Sequence, residues 1–132
     1  MTHQLNFIYN DSDWIAPAEY PDLSKATEIA IDLETKDPNI KTKGPGWATF
    51  DGHIVGFAVA ALGQQWYFPI AHDAGGNMDL SITCAFMQDI LRLPATKIFH
   101  NASYDVGWLL VNGFEIKGKI VDTMIAAALI NE

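Results

Sequence analysis

Residues 30–37 read AIDLETKD, and this stretch decides the fold. From Ile29 to Leu33 the chain is apolar except for one acid, Asp32, and a second acid, Glu34, follows two residues later. A short run of this kind reads as a β-strand. Residues i and i+2 of a strand share a face, so Asp32 and Glu34 point together, with Cα atoms about 6.5 Å apart. No Lys or Arg occurs from Ala26 to Thr35. Carboxylates on a buried strand are costly without a partner. Two readings stand side by side. The acids mark a strand end that faces water, or they hold a hard divalent cation, Mg²⁺ or Mn²⁺, which prefers oxygen ligands.

Working outward, residues 1–25 look irregular, with Pro17 and Pro21 as punctuation. The first strand spans about 28–34, and a Pro/Gly-rich loop follows to about 50. HIVGFAVAAL and QQWYFPI are two strand-like runs separated by a short turn near Gly63. So short a turn forces antiparallel pairing. Asp79 or Ser81 can cap a helix that runs to about Leu91, with Phe86, Met87, Ile90 and Leu91 at helical spacing and Cys84 among them as a core residue. After Pro94, KIFH is a short strand. NASYDVGWLLVNG is a helix with Asn101 as N-cap and Gly113 as stop. KIVD is extended, and Asp122 can cap a last helix, TMIAAALINE. The expected fold is α/β: an antiparallel three-strand meander, then strand–helix units completing a mixed sheet.

Composition limits the function. The 132 residues suit one domain, and 49% hydrophobic content excludes a disordered chain. The longest mostly apolar run, Ile54 to Leu62, is far below the roughly 20 residues of a membrane helix. The start lacks a signal-peptide pattern, and the single Cys84 fits a reducing compartment. Eight Lys and Arg against 16 Asp and Glu give a net charge of −8, which argues against a broad phosphate-binding surface. Binding to nucleic acid must then be local, through metal ions or a few cations. Lys36, Lys41 and Lys43 form one candidate patch in a loop that otherwise reads as solvated. The four histidines lack metal-ligand spacing, and the four tryptophans read as core or loop anchors.

FHNASYD, residues 99–105, supplies the second acidic element. Asn101 and Asp105 are four apart, on one face of a first helical turn. Taken alone, they are a cap and a favourable first-turn acid. If the strand before them runs parallel beside the first strand, Asp105 arrives near Asp32 and Glu34. Sites in such sheets gather at the carboxyl ends of strands.

DLET followed by NASYD resembles the first two motifs of the DEDD exonucleases, which have the ribonuclease H-like fold. HNASYD and DTMIAAALINE together resemble the 3′–5′ proofreading exonuclease domain of family A DNA polymerases, over residues 26–132. The resemblance implies Asp32, Glu34 and Asp105 as catalytic metal ligands. It implies Thr35 and Asn101 beside the 3′-terminal nucleotide, and Tyr104 supporting the site. The implied cofactors are two divalent ions, Mg²⁺ or Mn²⁺, and the implied chemistry is two-metal phosphodiester hydrolysis. A single-stranded DNA 3′ end is the implied substrate, and a polymerase domain the implied neighbour in the full-length protein. The cytoplasm of a bacterial or phage-infected cell is the implied location. Asp122 matches a position that is not a ligand.

A third motif, Tyr-x-x-x-Asp or His-x-x-x-x-Asp, belongs downstream of the second, and none follows Asp122. The expectation is therefore a partial exonuclease domain over 26–132, incomplete at its C-terminus and weak alone. Its last helix, apolar all round, would favour a homodimer. Rival readings are a ribonuclease D-like RNA exonuclease of the same fold and a non-catalytic binding module. A haloacid dehalogenase-like phosphotransferase fits less well, because its second acid is Asp and its next strands are parallel.

Overall fold

The computed structural model describes residues 14–130. Ten elements follow one another: β1 (Glu28–Lys36), α1 (Ile40–Lys43), α2 (Gly46–Thr49), β2 (His53–Ala61), β3 (Gln64–Pro69), α3 (Leu80–Arg92), β4 (Thr96–Phe99), α4 (Ala102–Val111), β5 (Ile120–Asp122) and α5 (Thr123–Ile130). The strands form one mixed sheet in the order β3-β2-β1-β4-β5. β1–β2 and β2–β3 are antiparallel, while β1–β4 and β4–β5 are parallel. The expected meander and strand–helix units are both present.

The β2–β3 connection is Leu62-Gly63, both at positive φ (52° and 72°). Two such residues make the tight primed turn that matches strand twist. Ile29, Ile31 and Leu33 of β1 are buried, as are Phe57, Val59, Phe68 and Phe99 on the neighbouring strands. Together with Met87, Ile90 and Leu91 of α3 and Trp108 and Leu109 of α4 they form one core cluster. Side chains alternate across a strand, so Ala30, Asp32 and Glu34 fall on the opposite face. There Ala30, Ala58, Ala60 and Ile98 floor a groove of about 780 Å³, edged by Asp32, Tyr67 and His100.

Several local expectations need correction. β1 is buried on one face only, and Asp32 and Glu34 stand on its exposed face. The loop after β1 holds two one-turn helices, α1 and α2. Cys84 is half-buried against the core rather than inside it. Asp79 caps α3, accepting from the Ile82 N–H at 2.8 Å. Asn101 occupies the N-cap position of α4 in the left-handed region (φ 62°), yet its side chain makes no capping hydrogen bond. Residues 14–27 contain neither helix nor strand. The rest of the irregular N-terminal stretch lies outside the described residues.

Lys97 on β4 is fully buried, which the sequence did not announce. Its ammonium donates to the carbonyl oxygens of Ala95 (3.0 Å), Lys117 (2.7 Å) and Leu93. Burial holds its pKa below the usual lysine value. The three acceptors come from the end of α3 and from the segment before β5, so one cation fastens both to β4.

Candidate active site

β4 pairs with β1 only as far as Ala30↔Ile98, while β1 continues to Lys36. The edge of β1 beyond Ala30 is therefore open on the β4 side, and α4 begins there, three residues after Phe99. Asp105, in its first turn, is only 3% exposed. Burial pushes its carboxyl up to about 7, and the negative charges of Asp32 and Glu34 add to the rise, against a hydrogen bond from the Leu33 backbone N–H. Its Oδ2 is buried without a hydrogen-bond partner. Asp105 thus comes up against β1, close enough to feel both acids of the opening motif.

The three carboxylates differ in setting. Asp32 and Glu34 are exposed and Asp105 is buried. Among the described residues no group of three His, Cys, Asp or Glu is spaced to close around a single ion. Both charges that act on Asp105 are negative. The donor set of oxygens alone, one of them buried and unpartnered, fits a hard divalent cation.

Asp122, at the end of β5, does what Asn101 was expected to do. Its carboxylate accepts from the backbone N–H groups of Asn101 (3.0 Å), Ala102 (2.9 Å) and Met124 (2.9 Å). Partial burial pushes its pKa up, but these N–H groups outweigh that and hold it below the usual value. One acid therefore caps the start of α4 and the start of α5. The Asn101 side chain is left for Ser103, whose hydroxyl donates to its Oδ1 at 3.2 Å. Thr123 donates to the Phe99 carbonyl at 3.1 Å and sits 3.0 Å from His100 Nδ1, tying the chain after β4 to α5.

Thr35 and Tyr104 are in direct contact, with Thr35 Oγ1 2.9 Å from the Tyr104 hydroxyl. Tyr104 also donates to Asp37 Oδ2 at 2.8 Å. Burial is the main reason the Tyr104 hydroxyl titrates above its usual range. Asp37 escaped the sequence reading although it lies inside the opening octapeptide. The available signal was a third acid three residues after Glu34. On the far side of the site, Tyr67 lies over Gly56, the residue paired with Glu34, and meets His72 Nε2 at 2.5 Å. Of the lysine patch, Lys36 is paired with Asp73 at 3.0 Å, both exposed. Lys41 and Lys43 lie exposed on α1.

Comparison with known proteins agrees with this architecture. Residues 18–132 match the family model of the DNA polymerase A type described as 3′-5′ exonuclease. A DNA-directed DNA polymerase of Pseudomonas phage M6 is 32% identical over 116 residues, covering 84% of this chain and 18% of that protein. The chain thus spans less than a fifth of that polymerase. Among solved structures, Brucella melitensis NrnC superimposes with a TM-score of 0.55 at 20% identity, over 83% of this chain and 47% of that one. The catalytic core of RRP6 from Trypanosoma brucei gives 0.58 at 22% identity, over 83% and 26%. The Aedes aegypti Nibbler EXO domain gives 0.56 at 12% identity, over 84% and 50%. These three share the ribonuclease H-like fold with the chain. The family match and the polymerase relative go further, and on them the chain belongs to the 3′–5′ exonuclease family of family A DNA polymerases.

Proposed function

We propose that this chain carries the metal-ion site of a 3′–5′ exonuclease acting on single-stranded DNA ends. The observation that carries the reading is Asp105: a buried carboxyl with an unpartnered oxygen, raised to about 7, set against Asp32 and Glu34. Asp32, Glu34 and Asp105 would hold the divalent ions. When bound, such ions would supply a water of lowered pKa and positive charge for the departing 3′ oxygen. The chain's own residues supply the frame. The β1 strand fixes the spacing of Asp32 and Glu34, and the Asp122 cap fixes the start of the helix that carries Asp105. Thr35, Asn101 and Tyr104 would lie beside the terminal nucleotide, with Tyr104 held against Thr35 at 2.9 Å. The phage polymerase relative supports DNA as substrate, a polymerase domain as neighbour in the full-length protein, and the cytoplasm of an infected bacterium as location. A second copy docked on α5 is a further partner.

Two measurements on one preparation test this. Calorimetric titration with Mn²⁺ is expected to show saturable binding that Asp105→Asn abolishes. Prolonged incubation of 5′-labelled single strands of one sequence, as DNA and as RNA, with Mg²⁺ is expected to shorten the DNA slowly from its 3′ end, in keeping with a domain that is weak alone, and Asp32→Asn to stop it. Faster trimming of RNA would replace the substrate. Strand binding without any trimming would favour a non-catalytic module, and absence of Mn²⁺ binding would overturn the reading.

A further inference from the structure

His100 is the first residue past β4 and takes no part in the chemistry above. One side of its ring is tied to the protein. His100 Nδ1 lies 3.0 Å from Thr123 Oγ1, and the Thr123 hydroxyl donates to the Phe99 carbonyl at 3.1 Å. A hydroxyl has one proton to give, and a carbonyl can only accept. The Thr123 proton therefore goes to Phe99, and Nδ1 must supply the proton of the His100–Thr123 bond. In the neutral ring this leaves Nε2 with a lone pair. Metal-ligating histidines are fixed in the same way, with the second nitrogen donating to a protein group.

The sheet brings an acid beside this ring. Ala30 and Ile98 are partners across β1 and β4. Asp32 and His100 lie two residues beyond them, which puts both on the same face, one row further on. Both are exposed, and both line the groove that Ala30 and Ile98 floor. Neighbouring strands run about 4.8 Å apart, and metal bonds to a carboxylate oxygen and an imidazole nitrogen are each about 2 Å. One ion can bridge that gap. We propose that Asp32 and His100 form a mixed oxygen–nitrogen metal site on the groove side of β1, which takes a divalent ion of the Zn²⁺ class in preference to Mg²⁺. Imidazole suits Zn²⁺, whereas carboxylate and water suit Mg²⁺. The proposal shares Asp32 with the exonuclease reading and rests on it for one consequence: Zn²⁺ held here competes with the oxygen-bound ions for Asp32. It needs neither Glu34 nor Asp105.

The test is titration of the isotopically labelled 132-residue chain with Zn²⁺ and with Mg²⁺ at neutral pH, followed by calorimetry and by the imidazole nitrogen resonances. Zn²⁺ is expected to shift His100 Nε2 before any nitrogen of His53 or His72, and Mg²⁺ to leave all three in place. His100→Ala should weaken Zn²⁺ binding by about 10-fold or more and leave the affinity for Mg²⁺ unchanged. Thr123→Val, which releases the ring, should weaken Zn²⁺ about 10-fold. Asp105→Asn should keep Zn²⁺ at His100. If a variant unfolds, the order of imidazole shifts in the native chain carries the same contrast. Zn²⁺ binding that ignores His100→Ala, or that shifts His53 or His72 first, overturns the proposal alone. Loss of Zn²⁺ in Asp105→Asn overturns a site made by Asp32 and His100. Absence of Mn²⁺ binding while Zn²⁺ still binds at His100 overturns the exonuclease reading and leaves this site standing.

Discussion

Asp105→Asn should make the metal-free protein more stable at neutral pH. The Asp105 carboxyl titrates at about 7 in the fold against 3.8 when unfolded. Its folded pKa is raised, so the folded state holds the proton more tightly. Below pH 4 both states are protonated and the stability is fully present. As pH rises from about 4 to 7 the unfolded state ionises first, and stability falls by about 1.4 kcal/mol per unit. Above 7 the loss is complete, at about 4 kcal/mol in all. Asparagine has nothing to ionise. The assay is urea unfolding in chelator from pH 4 to 8, with the mutant's free energy subtracted from the native chain's so that other carboxylates cancel. The two are expected to be similar near pH 4, with the mutant ahead by a few kcal/mol at pH 7.5. Saturating Mn²⁺ should restore the native chain by about 2.7 kcal/mol at 100 times Kd and leave the mutant unchanged. Parallel curves across the whole range would show Asp105 ionised and solvated, and the reasoning about the site would fail.

Three other outcomes follow from the fold. Lys97→Met removes the donor shared by three carbonyls, of Leu93, Ala95 and Lys117, and is expected to cost about 2–4 kcal/mol by chemical denaturation. A near-neutral result would mean that those carbonyls reach other donors. Gly107→Ala places a methyl group in the ring of Trp47; it should cost about 1–3 kcal/mol and alter tryptophan fluorescence, whereas an unchanged spectrum would show that the α2–α4 contact is dispensable. α5 presents Met124, Ile125, Leu129 and Ile130 exposed. The chain should scatter light as a dimer at high concentration, and Ile125→Glu with Leu129→Glu should return a monomer. A monomeric native chain would remove this interface.

The sheet was legible because its signals are short-range. Alternation in HIVGFAVAAL and the two-residue Leu62-Gly63 turn need no distant partner, and β2 and β3 lie where those patterns put them. The same holds for Asp79, which caps the helix directly behind it. What escaped the sequence reading depends on residues far apart in the chain. Asn101 has the right chemistry for a cap, but Asp122, 21 residues on, brings a charged acceptor to the N–H groups at the start of α4. α1 and α2 are four residues each and make no pattern of their own; Trp47 against Gly107 holds α2 in place. The burial of Lys97 depends on carbonyls from two other segments. In the site, strand periodicity put Asp32 and Glu34 on one face, while the depth at which Asp105 sits follows from where β4 stops pairing with β1.

The double cap at Asp122 has a consequence for the order of assembly. The helix that carries Asp105 takes the acceptor for its first amides from β5, and β5 holds Asp122 in place only once it has paired with β4. Such a contact joins parts of the chain about twenty residues apart and pays its loop closure before it gains anything. The nascent chain is therefore expected to seat Asp105 beside Asp32 and Glu34 only after the last strand docks. In hydrogen exchange the amides of Asn101 and Ala102 should open together with the β4–β5 ladder, as one cooperative unit, leaving the β1–β2–β3 meander protected.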